Sequence, residues 1–441
     1  MGTEITLEVA RLALDWSKNS RGADHGMLFQ EKDRQRTHSD QINYDHFREN
    51  DEDPGPMEMA FCRPLREVVP RIELLGFTLD QVRREYERTA ETSREQSLAI
   101  ADEEDEPAPN LMSFAEFCAF ATAYAVQTLD DTFVSSVNAG GEAQVKGRFG
   151  DTSVTQRLPH FSPYNSHGYS ERSYFGSLIG ILHPYSVLQV LAQNPANLDT
   201  PVMWQYGPLV HAGWADESEF SSNARRDQTF LVATEGSSDA HILKRALSLL
   251  RPEIADFFRF IDVSDRHPFP GTGNLLKFAE GLAKIDVHNQ TLFVFDNDAE
   301  GFEAYQKVLR FDLPINMRAM LLPELEEFRA FPAQGPQGVA NADINRCAAA
   351  IECYLDLQRD NLPPPRVIWT NYKKELEAYQ GALEYKELYM KSFMEQTAAT
   401  ISTGSYNVDK LRQVLDALVL ECSSIATERP ESKFANRQLE R

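Results

Sequence analysis

From Gln228 to Leu322 short apolar runs alternate with longer amphipathic stretches, and this alternation constrains the fold more than any other feature of the chain. Phe230-Leu-Val-Ala-Thr234, Phe257-Phe-Arg-Phe-Ile261, Thr291-Leu-Phe-Val-Phe295 and Ile315 to Leu322 read as strands. Between them, Ser238 to Leu250, Asn274 to Ile285 and Ala299 to Arg310 read as helices; Ile242, Leu243, Ala246 and Leu250 form the inward stripe of the first. Strands alternating with helices of this length mean βαβ units, a parallel sheet and right-handed crossovers.

Two of the apolar runs end in acidic clusters, Glu235-Gly-Ser-Ser-Asp239 and Asp296-Asn-Asp298-Ala-Glu-Gly301. In an open parallel sheet, ligands collect beyond the carboxyl ends of the strands, which is where these carboxylates fall. Asp239 falls in the first turn of the following helix, able to face back towards Glu235. The i, i+2 spacing of Asp296 and Asp298 points both to one side of an extended segment, and Gly301 lets the backbone pass close. Either motif alone reads as an acidic helix start or a turn. Together, at successive strand ends, they read as oxygen donors for a hard divalent cation such as Mg²⁺ or Mn²⁺. Two such ions would clamp the attacking and leaving oxygens of an in-line displacement at phosphorus.

The chain has 441 residues, enough for two or three domains, and a formal net charge of −23. That charge argues against tight, autonomous DNA binding, since a basic face supplies most of such affinity. Metal ions or a partner can offset the local repulsion at a site. Cys62, Cys118, Cys347, Cys353 and Cys422 form no CxxC pair, as reduced thiols in a cytosol would, and a zinc site is not expected. No apolar run is long enough to span a bilayer, and Met1-Gly-Thr-Glu-Ile has no export signal, so a cytoplasmic protein is expected.

Ahead of the array, Ile5 to Val9 alternates as a strand and Glu31 to Pro56 reads as a polar surface excursion. Residues 62–92 read as helical, with Pro70 predicted to kink or restart the helix and Gly76 to stop it. Asp102 to Pro109 reads as a charged linker, Ser113 opens another helix, and Gly140 to Asp227 reads as irregular, with a second linker near Ser221–Asp227. Beyond Asn341 a helical reading runs through Ala350, then from Tyr372 to Gln396, and from Asn407 to Glu421 before a polar tail.

The acidic motifs resemble the Toprim domain of topoisomerases, bacterial primases and overcoming-lysogenization-defect type nucleases. That family's pattern is a glutamate after the first strand and DxDxxG after the third, which Glu235 and Asp296-Asn-Asp298-Ala-Glu-Gly301 match. The resemblance covers about residues 228–325 and implies Mg²⁺- or Mn²⁺-dependent chemistry on phosphodiester bonds. Asp239, in an ExxxD spacing, is more similar to the two-metal nuclease branch than to primases. That branch implies a further downstream carboxylate, for which Glu352 is the candidate, and a late lysine among Lys373, Lys374 and Lys386, of which Lys386 is preferred. A topoisomerase-like tyrosine nucleophile is not signalled.

The segment Leu14 to Gln30, with Pro70 to Phe77 and Leu129-Asp-Asp-Thr-Phe133, resembles the N-terminal region of bacterial HEPN/Toprim-associated proteins, which occur at conflict and phage-defence loci. HEPN ribonucleases place four to six residues between an Arg and a His. Arg21 and His25 here enclose three, as do Arg34 and His38, so no second ribonuclease centre is expected. Asp15, Asp24 and His25 could form a polar site, but a satisfied structural cluster is the favoured reading. Gly271-Thr-Gly-Asn274 is not a P-loop; it could receive a phosphate at the helix N-terminus, but a plain turn with an Asn cap is the favoured reading. Phe161, Tyr164, Tyr169, Tyr174, Trp204, Tyr206 and Trp214 could stack bases, though core packing accounts for most of them.

The expectation is an α/β protein: a Toprim, Rossmann-like parallel sheet at residues 228–330, a mixed α+β N-terminal domain at residues 1–220, and a helical C-terminal extension at residues 340–425 completing the site. Its expected function is phosphodiester hydrolysis, with Glu235, Asp239, Asp296, Asp298 and Glu352 as metal ligands and Lys386 assisting catalysis. Its partners would be DNA or RNA, tRNA included, a defence-system protein or a second copy of itself, and no membrane. The alternative is a partner-gated recognition module that does not cut.

Overall fold

The computed structural model describes residues 2–39, 42–100, 110–135, 139–161, 168–261, 271–285, 287–359 and 362–428. The chain parts into two compact units, Met1–Ala224 and Arg225–Arg441.

The first unit is built on an antiparallel sheet of β1 (Glu4–Val9), β2 (Leu12–Lys18), β3 (Arg34–Arg36), β4 (Met59–Pro64) and β5 (Pro201–Gln205), in the order β2-β1-β5-β4-β3. Helices Leu65–Leu74, Leu79–Ile100, Glu171–Ile179 and Pro184–Leu191 pack over it and on one another. Phe29, Phe61, Trp204, Tyr206, Tyr86 and Phe175 are buried in its core. Arg71 is wholly buried, its guanidinium donating to the carbonyls of Met27 (2.8 Å) and Phe29 (3.1 Å). Those bonds tie the Leu65–Leu74 helix to the loop that follows β2.

Several expectations are corrected in this unit. The Leu65–Leu74 helix runs through Pro70 without a restart. The described part of residues 140–227 is not all irregular: it includes the core helices Glu171–Ile179 and Pro184–Leu191 and β5, a central strand. Pro201-Val-Met-Trp-Gln205 is almost wholly buried, so it shows no alternation to mark it as a strand. The polar excursion contains β3 and a short helix, Tyr44–Glu49. Ser113 caps its helix as expected, in a reciprocal box with Glu116. The charged linker at 102–109 lies outside the described residues.

In the second unit, β6 (Phe230–Thr234), β7 (Phe258–Phe260), β8 (Gln290–Phe295) and β10 (Met317–Leu321) form a parallel sheet in the order β10-β8-β6-β7. Every residue of β8 is buried, as a central strand covered on both faces requires. Ala233, Phe293, Phe295 and Met317 face the helices Thr272–Lys284 and Ala299–Val308. Helices Ser237–Leu250 and Asp409–Thr427 pack together, the latter against β8 and β10.

The expected helical extension is corrected more heavily. A second sheet, in the order β12-β11-β14-β15, joins β11 (Phe331–Gly335), β12 (Gly338–Ala342), β14 (Val367–Lys373) and β15 (Ala378–Leu383). Between them, β13 (Ala348–Ala349) pairs antiparallel with β9 (Asn297–Asp298). Val367-Ile-Trp-Thr-Asn-Tyr372 is rich in β-branched and aromatic residues, which favour a strand. Helix begins only at Lys386. The last helix ends at Thr427, beyond the expected Glu421.

Candidate functional site

Glu235 is the first residue after β6, and Asp296 follows β8, the neighbouring strand. The Glu235 carboxylate accepts from the Thr272 hydroxyl (2.7 Å) and, at Oε1, from the Asp296 amide (3.1 Å), so it bridges the two strand ends. Asp239, in the first turn of the Ser237–Leu250 helix, accepts from the Gly236 amide (2.8 Å) and the Ser238 hydroxyl (3.1 Å). Asp296 Oδ1 accepts from the Ile351 amide at 3.0 Å. Asp298 caps the Ala299–Val308 helix through the Gly301 amide (2.7 Å), and its Oδ2 accepts from the Gln380 amide group (2.7 Å).

Glycine at 301 is a steric necessity. A Cβ there would stand 2.2 Å from the Asp296 carbonyl oxygen and 2.8 Å from Glu235 Oε1. The helix start is thereby pressed against both strand ends, which compacts the site.

β9–β13 pairing brings the segment around Glu352 over the same strand ends. Buried Asn297 anchors it: Oδ1 accepts from the Arg346 amide (2.8 Å), and Nδ2 lies 3.3 Å from Asn345 Oδ1 and 3.4 Å from the Tyr354 hydroxyl. Glu352 is 3% exposed, and Lys386 Nζ lies 3.7 Å from its Oε1. Tyr385, directly ahead of Lys386, sits in the left-handed region at φ 58°, a strained conformation that the turn out of β15 imposes. Lys373 instead pairs with Glu300 (3.2 Å) and Glu303 (3.7 Å).

The electrostatics follow from burying several carboxylates together, with Lys386 beside Glu352. Burial, then the charge of Asp298, pushes the Glu235 carboxyl up to about 8. Burial, then Glu352, lifts Asp239 to about 6. Asp296 rises well above the usual carboxylate range through burial and the charges of Asp239, Glu235, Asp298 and Glu352; Asp298 rises chiefly through burial. Lys386 is held above its ordinary value, first by Glu352, and so stays protonated. The structure therefore gathers all six residues singled out in the sequence into one electrostatic cluster.

Whether this cluster suits a divalent ion has two answers. Chemically it does: the donors are hard carboxylate oxygens, crowded together and short of positive charge. In spacing it is incomplete: among the described residues, no three His, Cys, Asp or Glu side chains form a group that could hold an ion as they stand. Each of Glu235, Asp239, Asp296 and Asp298 is turned towards a protein donor. To converge on a cation these carboxylates would have to turn from their present donors.

Thr272, Asn297 and Gln380 were not anticipated. Gln380 also accepts from the Glu300 amide (3.0 Å), spanning the helix start and Asp298. No sequence signal marks Gln380, because the pattern from Tyr372 to Gln396 reads as helix. The turn before the Thr272–Lys284 helix is capped by Gly271 at φ 88°, with no side-chain cap, so the expected Asn274 cap is also corrected.

Residues 1–228 match the family described as HEPN/Toprim N-terminal domain 1, more than half of the chain. The chain belongs to that family. The match makes it a HEPN/Toprim-associated protein, a nuclease-like or defence-associated kind of module, and ends before the first carboxylate of the cluster. No curated protein and no solved structure matches the chain. Within the HEPN/Toprim N-terminal domain, His25 is buried, its Nε2 3.1 Å from Asp15 and its Nδ1 3.0 Å from the Tyr185 hydroxyl, while Asp24 accepts from the Gly26 amide (3.0 Å). This is a satisfied structural cluster. Arg21 donates to the Glu219 carbonyl and Arg34 pairs with Glu31. Of the aromatics considered for stacking in this domain, Tyr174, Trp204 and Tyr206 are core, Tyr169 and Trp214 are exposed, and Tyr164 lies outside the described residues. Among the described residues no single helix is long and apolar enough to cross a membrane.

Proposed function

We propose that the second unit is a Toprim-type nuclease centre that hydrolyses phosphodiester bonds of DNA or RNA, tRNA included, in Mg²⁺ or Mn²⁺. The observation that carries this reading is the meeting of Glu235, Asp296 and Asp298 at the ends of adjacent parallel strands, bridged by the Glu235–Asp296 amide bond. Glu235, Asp239, Asp296 and Asp298 would hold the metal, with Glu352 on a second ion. When bound, the ions supply Lewis-acid stabilisation of charge at phosphorus.

The chain's own residues supply the rest. Thr272 and Gln380 orient Glu235 and Asp298 through their hydrogen bonds. Gly301 lets the helix start pack directly against both strand ends. Lys386, half-exposed and protonated, can swing from Glu352 towards a phosphoryl oxygen and steady its growing charge. Bacterial antiphage defence in the cytoplasm is the setting this reading favours, given the family of the first unit.

The test is cleavage of plasmid, single-stranded DNA and tRNA in Mn²⁺ or Mg²⁺. Cutting by the wild type, lost in Asp296→Ala with an unchanged melting profile, is expected. Robust cutting in excess chelator, or by Asp296→Ala, overturns the reading.

One observation favours a second reading. The carboxylates face protein donors instead of one another. A module gated by a partner protein, or by self-association, would rest in such a state. Calorimetric metal binding without any cutting by the purified chain would mark it.

A further inference from the structure

We infer that Asn297, the residue between Asp296 and Asp298, is a positioning residue that fixes the register of the segment carrying Glu352; this deepens the nuclease reading and rests on it for what Glu352 does there. β9 and β13 share only two residue pairs, Asp298 with Ala348 and Asn297 with Ala349. So short a ladder cannot define its own register, and a slip of one residue turns every paired side chain to the other face. Glu352, just beyond the ladder, would move with it. Asn297 is wholly buried, and both ends of its side-chain amide are engaged. Oδ1 accepts from the Arg346 amide (2.8 Å), and Arg346 itself is held in the left-handed region at φ 57°, a conformation that a non-glycine residue keeps only where its surroundings impose it. Nδ2 lies 3.3 Å from Asn345 Oδ1 and 3.4 Å from the Tyr354 hydroxyl oxygen.

Those two partners extend the lock. The Tyr354 hydroxyl donates to the Pro323 carbonyl (2.6 Å), while Asn345 accepts from the Leu325 amide (3.1 Å) and donates to the Leu325 carbonyl (3.2 Å). Pro323 and Leu325 follow β10, so one buried network clips the ends of the neighbouring strands β8 and β10 to residues 345–354. Within the clipped stretch, the Ile351 amide reaches Asp296 at 3.0 Å and Glu352 comes within 3.7 Å of Lys386. The chemistry calls for asparagine: aspartate would offer no donor to Asn345 and Tyr354, and leucine neither donor nor acceptor. A single buried asparagine selects one register over its neighbours at some cost in stability.

Amide hydrogen exchange of the full chain in chelator, read peptide by peptide in a mass spectrometer, tests the lock without metal or substrate. In Asn297→Ala, residues 345–352 should exchange about tenfold faster or more while β8 keeps its wild-type protection. Tyr354→Phe, which removes one hydroxyl and keeps the core filled, should give a smaller rise of about threefold in the same peptide; where Asn297→Ala does not fold, this variant decides. Calorimetry with Mn²⁺ gives the second readout. Asn297→Ala and Glu352→Gln should each weaken binding about 10–100-fold, and the double variant should bind no more weakly than the weaker single one, because both act through Glu352. Unchanged exchange in residues 345–352, an equal loss of protection in β8, or Mn²⁺ losses that add in the double variant overturns the inference. If exchange responds as expected but the wild type binds no Mn²⁺, the register lock stands and the nuclease reading falls. If the wild type binds Mn²⁺ and cuts while Asn297→Ala exchanges and binds as the wild type does, only the lock falls.

Discussion

Replacing Glu235 by glutamine keeps the acceptor for Thr272 or the Asp296 amide but deletes a charge that the folded protein holds at a cost. Burial and Asp298 raise this carboxyl from an ordinary 4.5 to about 8, so the folded state binds the proton more tightly than the unfolded chain does. A group shifted upward in this way favours folding while protonated, and that contribution drains away as pH climbs from the unfolded value to the folded one. Between pH 5 and pH 8 the loss is roughly 3–4 kcal/mol at 1.36 kcal/mol per unit. For a unit of this size that is on the order of 10 °C in melting temperature. Thermal melts in chelator should then show wild type and Glu235→Gln close together at pH 5 and the variant well above wild type at pH 8. Added Mn²⁺ should restore the wild type most at high pH, because a cation offsets the charge that causes the loss. Parallel pH profiles for the two proteins, or a Mn²⁺ effect independent of pH, would refute the idea that Glu235 is buried among like charges awaiting a cation.

Gly301→Ala forces a Cβ against the Asp296 carbonyl and should destabilise the second unit by about 1–3 kcal/mol despite the better helix propensity of alanine, read as a lowered melting temperature. Gln380→Ala should weaken Mn²⁺ binding by about 10–100-fold in calorimetry with little change in melting, since it removes a donor that orients Asp298; a superimposable isotherm would count against this role. In the first unit, Arg71→Ala leaves the Met27 and Phe29 carbonyls without their buried cation and should cost on the order of 3 kcal/mol in denaturant unfolding.

Local pattern was enough where a residue's role depends on its place along a strand or helix. The β6 run matches its strand end to end, and Glu235, Asp296 and Asp298 sit at strand ends because apolar runs stop there and carboxylates cannot continue a buried strand. The same logic misplaced β5 and β14–β15. A central strand buried throughout carries no alternation, and a hairpin with a bulge between Trp369 and Asn371 breaks the period a strand would show.

The sequence by itself determined a parallel α/β array with acidic strand ends, since hydrophobic period and chain order are local properties of the chain. Only the tertiary structure decided that Glu352 and Lys386 meet over those ends and that Gln380 grips Asp298. These contacts depend on the β9–β13 pairing and on a second sheet laid beside the first, and long-range pairing between distant segments leaves no periodic trace in either.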